Sequence, residues 1–297
     1  MALIYETNFP NILYRGKVRD TYALDDDLLL MISTDRVSAF DVVFPTGIPG
    51  KGVILSELSK FWFQLTSKII DNHFIDLAKD KPDLEAITNP DLFKALSEQE
   101  MSRAMVVKKA ERIDVECICR GHITGSAWEE YLRSGTVFGL KMPANMKEGD
   151  LFGEPIFTPT TKAEEGHDEP ITIQQMQNMI GKELTDQLKN KTIELYSFAR
   201  DYAKKRGIII ADTKMEFGIL NNKVILIDEL LTPDSSRFWD GTLFKPGQTI
   251  PNFDKQFIRD WVKDTGWNKE PPAPKIPEDI VSRTLERYNE ALSRLTK

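Results

Sequence analysis

A chain of 297 residues, 41% hydrophobic and 29% charged, can bury a large core as one domain or two lobes, and its composition is that of an ordinary globular protein. A net charge of −7 speaks against a general nucleic-acid binder, no apolar run approaches the ~18 residues of a membrane span, and the first ten residues have neither the basic nor the apolar stretch of a secretory signal. The only cysteines, Cys117 and Cys119, are too few for a disulfide scaffold or a four-cysteine zinc site. Their spacing puts them on one face of a strand, as buried thiols in a reducing, cytoplasmic setting.

In chain order, short strands are expected over Asn11–Arg15, Val18–Leu24 and Leu28–Ser33, broken by Gly16 and by the acidic turn Asp25-Asp26-Asp27. Gly47, Pro49, Gly50 and Gly52 mark a loop, after which Leu55, Leu58, Phe61, Trp62, Leu65 and Ile69 recur at helical spacing. Asn89-Pro90-Asp91 suits the start of a short helix, since Asn caps well and Pro fits the first turn. Met105–Lys109 and Val115–Arg120 predict two strands joined by a charged turn, and Thr124–Ser134 a helix closed by Gly135. Phe138 to Pro170 has little periodicity and much Gly, Pro, Lys and Glu; it reads as a long loop, of the kind that is functional or mobile. Helices follow over Ile171–Ile180 and Leu184–Lys205, the second ended by Gly207. Ile208–Ala211 is a buried strand running into an acidic hairpin, and the proline-rich stretch Lys269–Pro277 leads to a last amphipathic helix, Glu278–Leu295. A strand-rich first part and a helix-rich second part predict an α+β fold with a cleft between two lobes, where ligands prefer to bind. A monomer is expected, because the chain is long and its final helix can pack on its own body.

Four constellations can carry chemistry. In Tyr14-Arg15-Gly16-Lys17-Val18-Arg19-Asp20, an extended chain puts Arg15, Lys17 and Arg19 on one face, and Gly16 lets backbone approach a ligand. This is not a Walker A sequence; it reads either as a kinase-like phosphate strand or as a solvated basic edge. In the acidic hairpin, Asp212, Lys214 and Glu216 alternate onto one face. A three-residue loop Asn221-Asn222-Lys223 puts Glu216 opposite Asp228, where the two could share a Mg²⁺ ion; a two-residue loop Asn221-Asn222 shifts the register by one and moves Asp228 to the other face. Pro233-Asp234-Ser235-Ser236-Arg237 reads as a phosphate cradle or as a structural turn. Arg120-Gly121-His122-Ile123-Thr124-Gly125-Ser126 ends a strand and opens a helix, a ready anion site unless Ser126 merely caps. His122 reads as a hydrogen-bonded structural residue, His73 has nothing around it to suggest function, and His167, beside Asp168, reads as an exposed loop residue that could also move protons.

Six segments together resemble the SAICAR synthetase (phosphoribosylaminoimidazole-succinocarboxamide synthase) family of purine biosynthesis: YRGKVRD at 14–20, STDRVSAFD at 33–41, VECICRGHITGS at 115–126, FTPTTKAEEGHDEP at 157–170, DTKMEFG at 212–218 and DELLTPDSSRFW at 228–239. The length resembles the longer, fungal-type branch. The resemblance implies a mostly antiparallel nucleotide lobe at 1–112 and a larger α+β lobe at 113–297, distantly kinase- and ATP-grasp-like. It implies a ligase that phosphorylates the carboxylate of carboxyaminoimidazole ribonucleotide (CAIR) with ATP and Mg²⁺, then lets the amine of L-aspartate displace phosphate. It implies Arg15, Gly16, Lys17, Arg19, Lys108 and Arg112 at ATP, and Glu216 and Asp228 at Mg²⁺. Arg120, Ser126 and Arg237 are implied at the 5′-phosphate, with Ser235 or Ser236 close by and Asp234 also at the substrate, and Lys214 and Asp212 near the substrate base or its carboxylate. The loop from Lys162 to Asp168 would close over the imidazole and the aspartate, with Asp168 orienting or deprotonating the amine; Ser38 and Asp41 match motif positions at the substrate. A small-molecule kinase needs the same lysine, acids and anion site, and a catalytically silent nucleotide-binding module stays a third reading.

Overall fold

The computed structural model describes residues 2–80, 90–162 and 168–297. Two five-stranded antiparallel sheets carry the α+β architecture. The first has the order β1-β2-β3-β7-β6, from β1 (Ile12–Arg15), β2 (Arg19–Ala23), β3 (Leu28–Ser33), β6 (Phe74–Leu77) and β7 (Ala104–Lys108). Period-2 alternation divides its side chains: Leu30, Ile32 and Val106 pack on the short helix α2 (Pro90–Lys94), while Met31, Met105 and Val107 form a second apolar layer on the opposite face. A hairpin of β4 (Ser38–Ala39) and β5 (Val42–Val43) and a buried helix α1 (Lys51–Leu65) intervene, and α3 (Glu98–Met101) precedes β7.

At Lys109-Ala110 the chain leaves the first sheet. The charged turn expected to join two neighbouring strands is thus the passage between sheets, and β8 (Glu111–His122) opens the second. That sheet runs β11-β8-β12-β13, with β14 (Ser236–Asp240) also paired to β12 (Ile208–Leu220). Val115, Cys117 and Cys119 of β8 and Met215 and Phe217 of β12 enter the main core, against Leu188, Leu195, Tyr196 and Ala199 of α6 (Lys182–Lys204). Both cysteines are buried free thiols, and burial pushes the Cys117 thiol up to about 12. The alternate residues, Glu116, Arg120, Asp212, Lys214 and Glu216, take the other face. After β8 come α4 (Ser126–Ser134) and the small hairpin β9 (Thr136–Val137)–β10 (Leu140–Lys141); α5 (Ile173–Ile180) precedes α6.

Three expectations change. The stretch from Phe138 to Pro170 is largely not loop: β11 (Leu151–Thr161) pairs along β8 from His122 to Val115. Its prolines hide it in the sequence, yet β11 is an edge strand, where a missing N–H is harmless; Pro155 falls in a register shift and Pro159 lies opposite Cys117. Arg15, Lys17 and Arg19 do not share an extended face, because residues 16–18 form a tight connection closed by Gly16 N–H to the Arg19 carbonyl, 2.7 Å. Helix α7 (Gln256–Thr265) adds to the expected set, with Ile258, Trp261 and Val262 at helical spacing. The hairpin between β12 and β13 (Lys223–Ile227) takes the two-residue loop: Leu220 pairs Lys223 and Glu216 pairs Ile227. Asn221 and Asn222, at φ 51° and 60°, are both left-handed, which Asn tolerates and a two-residue hairpin turn requires.

Helix α1 is pinned to the end of β3. Gly52 is obligatory there, since a Cβ would lie 2.1 Å from the Ser33 carbonyl oxygen. Asp35 accepts hydrogen bonds from the Gly52 amide at 3.1 Å and the Ile4 amide at 2.9 Å, and pairs with fully buried Arg103 at 2.6 Å. The final helix α8 (Glu278–Thr296) packs on α1 and α7. Among the described residues, no helix is long and apolar enough to cross a membrane.

Candidate active site

A cleft of about 540 Å³ opens between the two sheets, lined by β2, β3 and β7 on one side and by β8, β12 and residues 227–229 on the other. Its floor follows from strand register. Glu116 of β8 lies directly opposite Glu216 of β12, a like-charge pair that would be costly alone. Two lysines offset it. Lys162, just past β11, sits 2.9 Å from Glu116 and 2.6 Å from Glu216; Lys214 sits 2.5 Å from Glu116 and 3.5 Å from Glu216. Burial lowers the Lys214 pKa, but Glu216 and Glu116 outweigh it and raise it; Lys162 rises for the same reason through Glu216. Both are therefore ammonium ions at neutral pH.

The two-residue turn should turn Asp228 away from Glu216, and the backbone undoes that. Asp228 adopts φ 67°, leaves the ladder after Ile227 and swings its carboxylate into the cleft. Arg19 holds it at 2.6 Å and holds Glu229 at 3.0 Å. Burial would raise the Asp228 pKa, yet Arg19, Lys162 and Lys214 together lower it, so the group stays ionised. His73 Nε2 donates to the Asp228 carbonyl at 3.2 Å; burial pushes this imidazole down to about 3, leaving it neutral. A left-handed non-glycine residue is strained, and this hydrogen bond helps to hold it.

At the mouth, Lys17 pairs with Asp41 at 2.5 Å, and Asp41 shares with Phe40 the left-handed turn of the β4–β5 hairpin, φ 63° and 53°. Ser38, Gly16, Lys108, Arg112 and Asp168 also line the cleft, whereas Arg15 turns away to Glu6 at 2.8 Å. Arg112 pairs with Asp114 at 2.8 Å. His167 lies outside the described residues.

Further along β12 the sign reverses. Asp212 accepts from Arg120 at 3.0 Å and pairs with Arg237 of β14. Arg120 also donates to Thr158 of β11 at 3.0 Å. Asp212 raises the Arg237 pKa, while burial lowers that of Arg120. The Arg237 guanidinium lies against Gly125, φ 56°, at the start of α4, where a Cβ would come within 2.5 Å of it. Two guanidinium groups at a helix N-terminus suit a phosphate, and Ser126 is the exposed first residue of that helix. The neighbouring serines are engaged within the fold: Ser236 hydrogen-bonds Thr213 at 2.8 Å, and Ser235 accepts from the Thr232 amide at 3.2 Å. Asp234 is buried between Lys51 at 2.6 Å and Tyr288 at 2.8 Å. His122 is structural: its Nδ1–H donates to the Gly149 carbonyl at 2.8 Å, with Trp239 and Phe244 against its ring.

Glu116, Glu229, His73 and Lys255 are cleft residues that the sequence reading does not single out. Glu116 was legible in principle, because placing Cys117 and Cys119 in the core puts Glu116 on the opposite face. The other three come together only through tertiary contacts.

Hard carboxylate oxygens fit a divalent ion that also takes phosphate oxygens. The contacts of Glu216 described above use Oε1, and Arg19 takes Oδ2 of Asp228. Glu216 and Asp228 both bring carboxylate oxygen to the cleft, the donor type that Mg²⁺ takes, while among the described residues no group of three or more His, Cys, Asp or Glu side chains is placed to hold a metal ion. A basic mouth, a floor of lysine-bridged acids and a guanidinium pair at one end define an enzyme that handles phosphoryl groups on two anionic ligands.

The comparisons narrow that class. The family model of SAICAR synthetase matches residues 12–274. The phosphoribosylaminoimidazole-succinocarboxamide synthase of Elusimicrobium minutum is 50% identical over 294 residues, 98% of each chain, and that of Maridesulfovibrio salexigens 47% over 287 residues, 96% of this chain and 94% of the other. A SAICAR-synthase structure from Saccharomyces cerevisiae, complexed with SAICAR, superposes with a TM-score of 0.85 at 44% identity, covering 99% of this chain and 98% of that one. The chain belongs to the SAICAR synthetase family. The resemblance to the longer, fungal-type branch holds for the yeast structure; the two bacterial relatives share that length, so the long form is not confined to fungi.

Proposed function

We propose that this cleft condenses CAIR with L-aspartate at the expense of ATP, giving SAICAR, ADP and phosphate. The observation that carries the reading is the floor of Glu116, Lys162, Lys214 and Glu216 beside Arg19–Asp228, set between a basic mouth and a phosphate-shaped guanidinium pair. We assign the first sheet's lobe, 1–112, to the nucleotide and 113–297 to the other substrates. Leu29 and Met31 offer an apolar wall to the adenine, and Lys108 and Arg112 flank it. Gly16, Lys17 and Arg19 lie where the triphosphate would run; Lys17 would exchange Asp41 for a phosphate oxygen. Arg15, tied to Glu6, would act on this loop rather than on the nucleotide.

Mg²⁺ held by Glu216 and Asp228 would supply charge neutralisation at the transferring phosphoryl group. The protein's own part is placement. Arg120, Arg237 and the start of α4 would grip the 5′-phosphate of CAIR, with Asp212 bridging the two guanidinium groups and holding them side by side. The imidazole carboxylate would then reach Lys214 and Lys162. An oxygen of that carboxylate attacks the γ-phosphorus, the bond to the β-phosphate oxygen breaks, and a mixed anhydride forms. The neutral amine of L-aspartate attacks the acyl carbon, the C–O bond to phosphate breaks, and the amine proton leaves to a base. Lys214 is held protonated, so its role is electrostatic; Asp168 is the candidate to orient the amine or take its proton. Ser38 and Asp41 border the same space.

The chain is read as a cytoplasmic monomer, in keeping with its buried free thiols and with α8 packed on its own body. The test is product analysis: ADP release should require CAIR and L-aspartate together and yield SAICAR. ADP release with a hydroxyl acceptor and no aspartate would make the protein a kinase.

A further inference from the structure

Lys255 is the N-cap of α7, and its side chain lines the cleft near Asp234. The residue is only 8% exposed, yet its ammonium group makes no hydrogen bond or ion pair with any described residue. The acids near it are already engaged: Asp234 by Lys51 at 2.6 Å and Tyr288 at 2.8 Å, Glu229 by Arg19 at 3.0 Å and Thr232 at 2.8 Å. Two further cations, Arg259 and Lys51, act on it from α7 and α1. Burial pushes its pKa down to about 8, with Asp234 opposing the fall and Arg259 and Lys51 adding to it, so at neutral pH it is still charged. An ammonium group on a largely buried side chain, open to the cleft and hydrogen-bonded to none of the acids near it, has no structural purpose visible in its contacts. Such a group belongs to a site that a ligand completes.

We infer that Lys255 anchors a second anion subsite, which takes one carboxylate of the amine-donating dicarboxylic amino acid. This rests on the reaction proposed above. The choice of anion follows from the surroundings. The guanidinium pair at α4 and the basic mouth already suit the two phosphate-bearing ligands. Around Lys255 the wall is of mixed sign, with Glu229 and Asp234 acting on it beside Arg259 and Lys51, which disfavours a phosphate dianion. A zwitterion fits: its carboxylate meets the ammonium of Lys255, and its amino end meets an acidic wall. The amine donor would then be held from the α7 side of the cleft, independently of the segment at Lys162–Asp168.

The experiment compares wild type with Lys255→Gln and Lys255→Arg, varying L-aspartate, CAIR and MgATP in turn and recording thermal melting. Lys255→Gln should raise KM for L-aspartate about tenfold or more, leave the KM values for CAIR and ATP within about twofold, and melt at or above the wild-type temperature. Lys255→Arg should recover part of the aspartate affinity. An aspartate KM within about twofold of wild type, a shift carried by CAIR or ATP instead, or a lowered melting temperature with activity lost in proportion would each overturn the assignment. A wild-type protein that forms no amide from L-aspartate would end the proposed reaction itself, and this subsite with it.

Discussion

Asp35 and Glu216 are both buried carboxylates in contact with cations, and they belong to different kinds of structure. Asp35 is completed by the fold: two backbone amides and fully buried Arg103 use its oxygens, and nothing about it faces the cleft. Glu216 opposes another glutamate across the ladder and shares one oxygen between two lysines, one of which comes from the end of an edge strand. The first arrangement is closed; the second is a balance of exchangeable partners. Both acids lie in segments that match the family, so membership of a matching segment does not separate scaffold from site. Completeness of the charge contacts does.

That contrast can be broken in graded ways. Arg103→Met should be the most damaging, because it leaves Asp35 buried without a cation; a loss of about 3–5 kcal/mol in denaturant unfolding is expected, enough to threaten folding. A loss below about 1 kcal/mol would remove Asp35 from the scaffold. Glu216→Gln should cut turnover by roughly a thousandfold, with little change in unfolding free energy because Glu116 retains both lysines. Near-normal turnover would dismiss Glu216 as a metal ligand. Lys255 sharpens the comparison through pH. Its folded pKa, about 8, lies below the ordinary 10.5, so between those values the unfolded chain holds the proton that the folded chain has shed. Stability should therefore climb with pH across that window, by roughly 3 kcal/mol at most, and Lys255→Met should lose that component; parallel curves for the two proteins would contradict it. Arg237→Ala should act least, raising KM for CAIR about 10- to 100-fold and leaving ATP alone, since Arg120 still serves Asp212. An effect confined to ATP would relocate the residue.

Much of the fold was legible because period-2 and 3.6-residue patterns are local. The strands up to Ser33, helix α1 and the long helix α6 follow from them. Strand β11 was not, since Pro155 and Pro159 look like breakers until pairing shows them on an edge. In the site, the alternation of Asp212, Lys214 and Glu216 could be read directly. The place of Asp228 could not: it depends on a left-handed residue following a two-residue turn, and register reasoning alone sends that side chain the wrong way. Lys255 and His73 carry no sequence signal at all, because burial without a hydrogen-bonded acid and a hydrogen bond to a distant carbonyl arise only when α7, β6 and the end of β13 meet.

Strand β12 is uninterrupted from Ile208 to Leu220, and it holds the guanidinium-bound Asp212 and the cleft acid Glu216 four residues apart. At about 3.3 Å per residue the strand sets these two positions roughly 13 Å apart, the span that the proposed assignment gives to the two ends of the ribonucleotide. Under that assignment a nucleotide with a much longer or shorter phosphate arm would meet one end and not the other, so the strand would gauge substrate length as well as support its charges.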